Sequence, residues 1–194
     1  MAKAGRARES SPPGARAEAA RDYILREVQR MVKQVPPEQV EGLVQRILAS
    51  QKVITFGRGR SGLVARMFAV RLHHLGLSSF VVGETTTPPV DRETLVVLFS
   101  GSGETFAVAL TAQLARGMGA SIAVITSAPD STVAQNADIV VLLPAPGSPQ
   151  KDLAPLGTLF ESAAGLFIDG IIAELMARRG ETEESMRKRH ATLE

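Results

Sequence analysis

The chain reads as an α/β protein with a doubly wound, five-stranded parallel sheet flanked by helices, of the flavodoxin-like or Rossmann-like kind. Three features predict it. Five short runs rich in β-branched residues recur along the chain, and each is continuous rather than alternating, as strands buried on both faces must be. Helical patterns separate most of these runs, giving the βαβ rhythm that joins parallel strands through crossovers. Glycine-rich loops follow the first and third runs and open helices, and ligands of such sheets sit outside the carboxyl ends of the strands at the switch point.

Residues 1–15 mix Lys3, Arg6 and Arg8 with Ser10, Ser11, Pro12, Pro13 and Gly14 and lack the apolar centre of a secretory signal, so a disordered tail is expected. Residues 16–194 are expected to form a single domain with an N-terminal helical hairpin and a C-terminal helical segment. From Arg16 to Val35, apolar residues at Ala17, Ala20, Ile24, Val28, Met31 and Val35 lay one stripe along a helix. Pro36-Pro37 interrupts it, and Pro37 suits the first turn of a second helix running to about Ser50. A doubly wound sheet already has helices on both faces, so the stripe of the first helix is expected to be buried against another subunit. Strands follow over 53–56, 79–82, 94–99, 122–125 and 139–143, and helices over 61–75, 104–118, 131–136 and 156–177.

Composition bounds the function. With 44% hydrophobic and 22% charged residues, the chain can bury a sizeable core. It has no cysteine, hence no disulfide, thiolate metal site or cysteine nucleophile, and this permits a reducing, cytoplasmic setting. Three histidines leave little for an imidazole metal site, and no His-x-x-x-His pair occurs. A net charge of +2, one tyrosine and no tryptophan argue against a nucleic-acid surface. No apolar run approaches the roughly 18 residues that span a bilayer, so no membrane partner is expected.

The first loop, Gly57-Arg58-Gly59-Arg60-Ser61-Gly62, has the G-x-G-x-x-G spacing of dinucleotide sites, with Glu84 near the end of the next strand. Equally, its glycines suit close packing of strand on helix. The second loop, Ser100-Gly101-Ser102-Gly103-Glu104-Thr105, offers three hydroxyls and the positive end of a helix. Ser100, Ser102 and Thr105 can donate to phosphate oxygens, while Gly101 and Gly103 let the backbone approach. By itself it could be an ordinary helix cap. Facing the first loop across the switch point, it reads as a phosphate cradle, which a dinucleotide site would leave unexplained. No Gly-x-Ser-x-Gly occurs, which removes a serine hydrolase of that kind.

The loops belong to a wider pattern: Gly59-Arg60-Ser61-Gly62, Arg71-Leu72 with His74-Leu75-Gly76, Val82-Gly83-Glu84-Thr85-Thr86-Thr87-Pro88, Ser100-Gly101-Ser102-Gly103 with Thr105, Gly157-Thr158 with Phe160-Glu161, and Arg189-His190 near the end. From about Arg21 onward this resembles the sugar isomerase (SIS) domain and, within it, the 6-phospho-3-hexuloisomerases. The resemblance implies interconversion of D-arabino-3-hexulose 6-phosphate and D-fructose 6-phosphate in the formaldehyde-handling ribulose monophosphate pathway. It implies a phosphate held by Ser61, Ser100, Ser102 and Thr105, a base at Glu161 and a C-terminal histidine at His190. Gly59, Arg60, Gly101, Glu84 and Thr85 fall in the matched motifs as further substrate-binding candidates. No metal or organic cofactor is implied, while a homo-oligomer, dimer or tetramer, with shared active sites is, together with 3-hexulose-6-phosphate synthase as pathway partner. Arabinose 5-phosphate isomerase and a non-catalytic sugar-phosphate sensor are the neighbouring alternatives. Apart from the resemblance, Glu161 could as well be half of a half-buried ion pair with an arginine.

Overall fold

A computed structural model describes Pro12 and residues 14–193. Of the expected tail, Ala15 already begins a helix, Pro12 and Gly14 lie just before it, and the rest falls outside the described residues. Strands β1 (Lys52–Gly57), β2 (Ser79–Val81), β3 (Thr94–Phe99), β4 (Ser121–Thr126) and β5 (Ile139–Leu142) form one parallel sheet in the order β2-β1-β3-β4-β5. The order reverses between β1 and β3, so their carboxyl ends open the crevice in which such sheets hold ligands.

Alternate residues of each strand enter two different layers, as the pleat requires. Val53, Leu95, Val97, Phe99, Ile125 and Val141 face α1 (Ala15–Lys33), α2 (Pro37–Ala49), α3 (Gly59–His74) and α6 (Thr158–Arg179). Val96, Leu98, Ile122 and Val124 face α4 (Phe106–Gly117) and the short α5 (Thr132–Gln135). Every residue of β3 is buried, because it lies at the centre of the sheet and is covered on both sides. The β2–β3 connection carries no helix, so the second layer is thin above β1 and β2. A short α7 (Glu183–Arg187) follows, started by a reciprocal cap between Thr182 and Ser185.

The stripe of α1 has its cover within the chain, and the expectation of a subunit contact there is corrected. Tyr23, Val28 and Met31 are buried in the same core as α6, while Ala17 is exposed. The reason lies in α6, which is apolar around most of its circumference and buries nine residues, from Leu159 to Leu175. One side of α6 packs on α3, leaving another for α1 and α2. Helix α4 begins at Phe106 rather than Glu104 because Gly103, at φ 64°, turns the chain before the helix can form.

Candidate active site

The loop after β3 is built from beneath. Ser100 is buried, its Oγ accepts the Gly103 N–H at 3.1 Å, and its hydroxyl donates to Thr105 Oγ1 at 3.3 Å. Gly103 leaves no room for a side chain: a Cβ there would fall 1.8 Å from Ser131 Oγ. Glu104 turns away to take the N–H and hydroxyl of Thr132, at 2.8 and 2.7 Å, and these bonds hold its carboxyl below the usual carboxylate range. What remains on the open side is Gly101, the exposed Ser102 and Thr105, whose side chain does not cap its own helix. The first N–H groups of α4 are thus left for a ligand.

The loop after β1 meets this cradle from the other strand. A Cβ on Gly57 would lie 2.9 Å from the Ser61 backbone, and one on Gly62 would lie 2.7 Å from the Gly57 carbonyl. Two of the three spaced glycines therefore serve close packing of β1 on α3, which brings Ser61 to the crevice. The resulting cavity has a volume of about 530 Å³ and is lined by Ser61, Gly101, Ser102 and Thr105, with Ser127, Lys151 and Phe160. The Phe160 ring packs over Gly101, where a Cβ would come within 3.0 Å.

Glu161 stands beside this cavity in the first turn of α6. Its carboxylate folds back over Gly157, which lines the cavity, and its side chain is 13% exposed. Arg60 Nε lies 2.5 Å from Oε2, a contact of charge without hydrogen-bond alignment, so this buried oxygen has no hydrogen-bond partner. The ion pair foreseen for Glu161 thus exists, and it sits at the rim of the crevice.

Other expected residues lie elsewhere or do other work. Ser100 supports the cradle rather than lining it, because its Oγ is already bonded within the loop. Gly59 is exposed at the start of α3, outside the lining. Glu84 pairs with Arg66 at 2.5 Å, and Thr85 is exposed beside it. Both follow the edge strand β2, beyond β1, so they flank the outside of α3. His190 stacks on His74 with ring centroids 5.1 Å apart, and His74 ends α3. From Arg60 to His74 the helix climbs roughly 20 Å, at about 1.5 Å per residue, so His190 does not reach the cradle of its own chain.

Sequence reasoning passed over Ser127 and Lys151. Ser127 follows β4 as Ser100 follows β3, and that placement at a third carboxyl end was the available signal. Lys151 sits in the irregular segment between β5 and α6, where no periodicity marks it.

A model of the SIS domain family matches residues 46–157. A 3-hexulose-6-phosphate isomerase of Bacillus subtilis strain 168 is 38% identical over 178 residues, covering 88% of this chain and 95% of that protein. A second one, of Methanocaldococcus jannaschii, is 39% identical over 155 residues, covering 80% and 84%. A solved structure of a hypothetical protein from Methanococcus jannaschii, described as inferring a molecular function of 3-hexulose-6-phosphate isomerase, matches with a TM-score of 0.83 at 35% identity. That match covers 91% of this chain and 99% of the other. With the family model spanning more than half of the chain and relatives aligned along nearly their full length, the chain belongs to the SIS domain family.

Proposed function

We propose that the protein is a ketose-phosphate isomerase that interconverts D-arabino-3-hexulose 6-phosphate and D-fructose 6-phosphate. The observation that carries this reading is the pairing of a hydroxyl-rich helix-start loop that lines a cavity with a mostly buried carboxylate beside it. Two relatives called 3-hexulose-6-phosphate isomerase, at 38% and 39% identity, support the choice of substrate.

Moving the ketone from carbon 3 to carbon 2 removes the proton on carbon 2, passes through an enediolate and returns a proton to carbon 3. Ser61, Gly101, Ser102, Thr105 and the first N–H groups of α4 hold the phosphoryl group, which fixes the sugar chain against the carboxylate. Glu161 takes the carbon-2 proton and delivers it to carbon 3 on the same face. Arg60, beside that carboxylate, places positive charge where the enediolate oxygens develop theirs. The hydroxyl proton that must pass between the two oxygens calls for a group titrating near neutrality, which suits histidine. His190 lies too far from the cradle of its own chain, so it serves a neighbouring subunit in a homo-oligomer with shared sites. Chemistry of this kind takes its substrate from 3-hexulose-6-phosphate synthase, in the ribulose monophosphate route of formaldehyde handling, in the cytoplasm.

The test is direct. Incubated with fructose 6-phosphate in deuterated water, the protein should exchange the carbon-3 proton and form the 3-hexulose, both visible by NMR, and full activity should survive exhaustive chelation. Turnover of arabinose 5-phosphate in its place, or a rate that needs an added divalent ion or nicotinamide, would overturn the assignment.

A further inference from the structure

Ser127, at the carboxyl end of β4, lines the cavity and has no part in the reading above. Its N–H is fixed to the Gly101 carbonyl at 3.1 Å, so it moves with the cradle. Its Oγ is closed off from bulk solvent and has no hydrogen-bond partner. The neighbouring hydroxyls are all engaged. Thr126 Oγ1 accepts the Ala128 N–H at 3.1 Å, Ser131 donates to the Ala128 carbonyl at 2.7 Å, and Thr132 donates to Glu104 at 2.7 Å. Among the described residues, buried side-chain oxygens in the same state occur otherwise only on Glu27 and Glu161. Burying a hydroxyl unpaired costs stability, and the cost is recovered only when something supplies the missing partner.

The strand order says what that partner is. Strand β3 lies between β1 and β4, so the 100–105 loop is flanked by Ser61 on one side and Ser127 on the other. Arg60 and Glu161 stand on the β1 side. Ser127 therefore borders the cradle on the side away from the carboxylate, next to the phosphoryl group rather than the reacting carbons.

We propose that Ser127 is a phosphoryl-binding residue: after rotation about χ1, its Oγ donates a hydrogen bond to a phosphoryl oxygen and closes the β4 side of the cradle. This rests on reading the 100–105 loop as a phosphate site. A contact so far from the proton transfer binds substrate and transition state alike, so it acts on KM and leaves kcat alone.

Calorimetric titration of the wild type, Ser127→Ala and Ser127→Cys with inorganic phosphate and with fructose 6-phosphate tests it, together with thermal melts of the free proteins. Ser127→Ala should weaken both ligands by the same factor, about 10-fold or more, since the lost hydrogen bond is to a charged group. Its kcat should stay within about twofold, and its ligand-free melting temperature should be equal to or above that of the wild type. Ser127→Cys keeps the shape with a poorer donor and should fall between the two. Unchanged affinity for both ligands, a loss confined to fructose 6-phosphate, or a lowered melting temperature would each overturn the proposal, as would a wild type that binds neither ligand. A protein that shows the Ser127 effect on phosphate yet fails to isomerise the hexulose phosphate would sink the isomerase reading and leave this one standing.

Discussion

Ser100 and Ser102 stand two residues apart and carry different loads. Ser100 is buried and its hydroxyl bridges Gly103 and Thr105, so Ser100→Ala removes two side-chain bonds of the loop and leaves the Gly103 N–H only its bond to the Ser100 carbonyl, at 3.2 Å. A loss of about 0.5–1.5 kcal/mol is expected in urea unfolding, the net value of a typical hydrogen bond. Ser102 is exposed and bonds only the Glu104 N–H, at 3.2 Å, so Ser102→Ala should leave stability within about 0.5 kcal/mol and show its effect in weaker fructose 6-phosphate binding. Both serines were legible as a pair of candidate phosphate ligands, but only packing distinguishes the post from the hand. Glu161 shows the same limit. Its sequence setting left an ion pair and a base equally open, and its place at the cavity rim beside Arg60 makes the two compatible. Glu161→Gln should keep phosphate affinity and lose about 10²- to 10⁴-fold in kcat, the range for a positioned acid or base. Near wild-type turnover in that variant would require another group to move the proton.

Elements were legible where one period dominates. Continuous apolar runs identified all five strands, most plainly β3 and β4, where burial on both faces leaves no polar alternation to confuse them, while the edge strands β2 and β5 are only partly buried. Boundaries moved where a glycine with positive φ governs the chain, as at Gly103 before α4. The segment between β5 and α6, which closes one wall of the cavity, carries no period and was not legible as part of the site. The stripe on α1 was legible, whereas its partner α6 lies over a hundred residues later and only the folded chain pairs them. Met31, fully buried and lining the cavity, tests that pairing. Met31→Ala should cost about 2–5 kcal/mol in unfolding, as buried large-to-small changes do. The C-terminal element is held differently, by Arg189 bonded to both oxygens of Glu181, at 2.9 and 3.0 Å, and to the His74 carbonyl at 3.0 Å. Arg189 and the Ser185 hydroxyl lower the Glu181 pKa from 4.5 to about 2. A depressed carboxylate stabilises above its unfolded value and loses that contribution as pH falls through the folded one. Hydrogen exchange of α7 and the residues after it should therefore be pH-independent in its protection above about 4.5, once corrected for intrinsic rates, and lose protection between 4.5 and about 2. Glu181→Gln should remove that dependence.

At the scale of the whole molecule, two helices leave apolar side chains uncovered in regular order. On α3 these are Leu63, Met67 and Val70, each more than half exposed, and on α4 with its C-terminal cap they are Phe106, Leu110, Leu114 and Met118, between 42% and 80% exposed. Stripes of this kind are the surfaces on which the proposed homo-oligomer would assemble. In the proposed oligomer His190, docked at the far end of α3 from its own cradle, would act across a subunit boundary. If each site takes Glu161 from one chain and His190 from its neighbour, two inactive variants carry complementary halves. Mixing His190→Ala with Glu161→Gln subunits in equal amounts leaves half the Glu161 positions and half the neighbouring His190 positions intact, so about one quarter of the sites are whole in a dimer or in a ring. Activity should therefore rise from near zero to about one quarter of wild type once subunits exchange, with exchange followed by mass spectrometry of differently tagged chains. No recovery despite proven exchange would overturn the shared site, since His190 does not reach the cradle of its own chain. A monomer in sedimentation at assay concentration would remove His190 from the chemistry altogether, since within a single chain α3 holds the two ends roughly 20 Å apart.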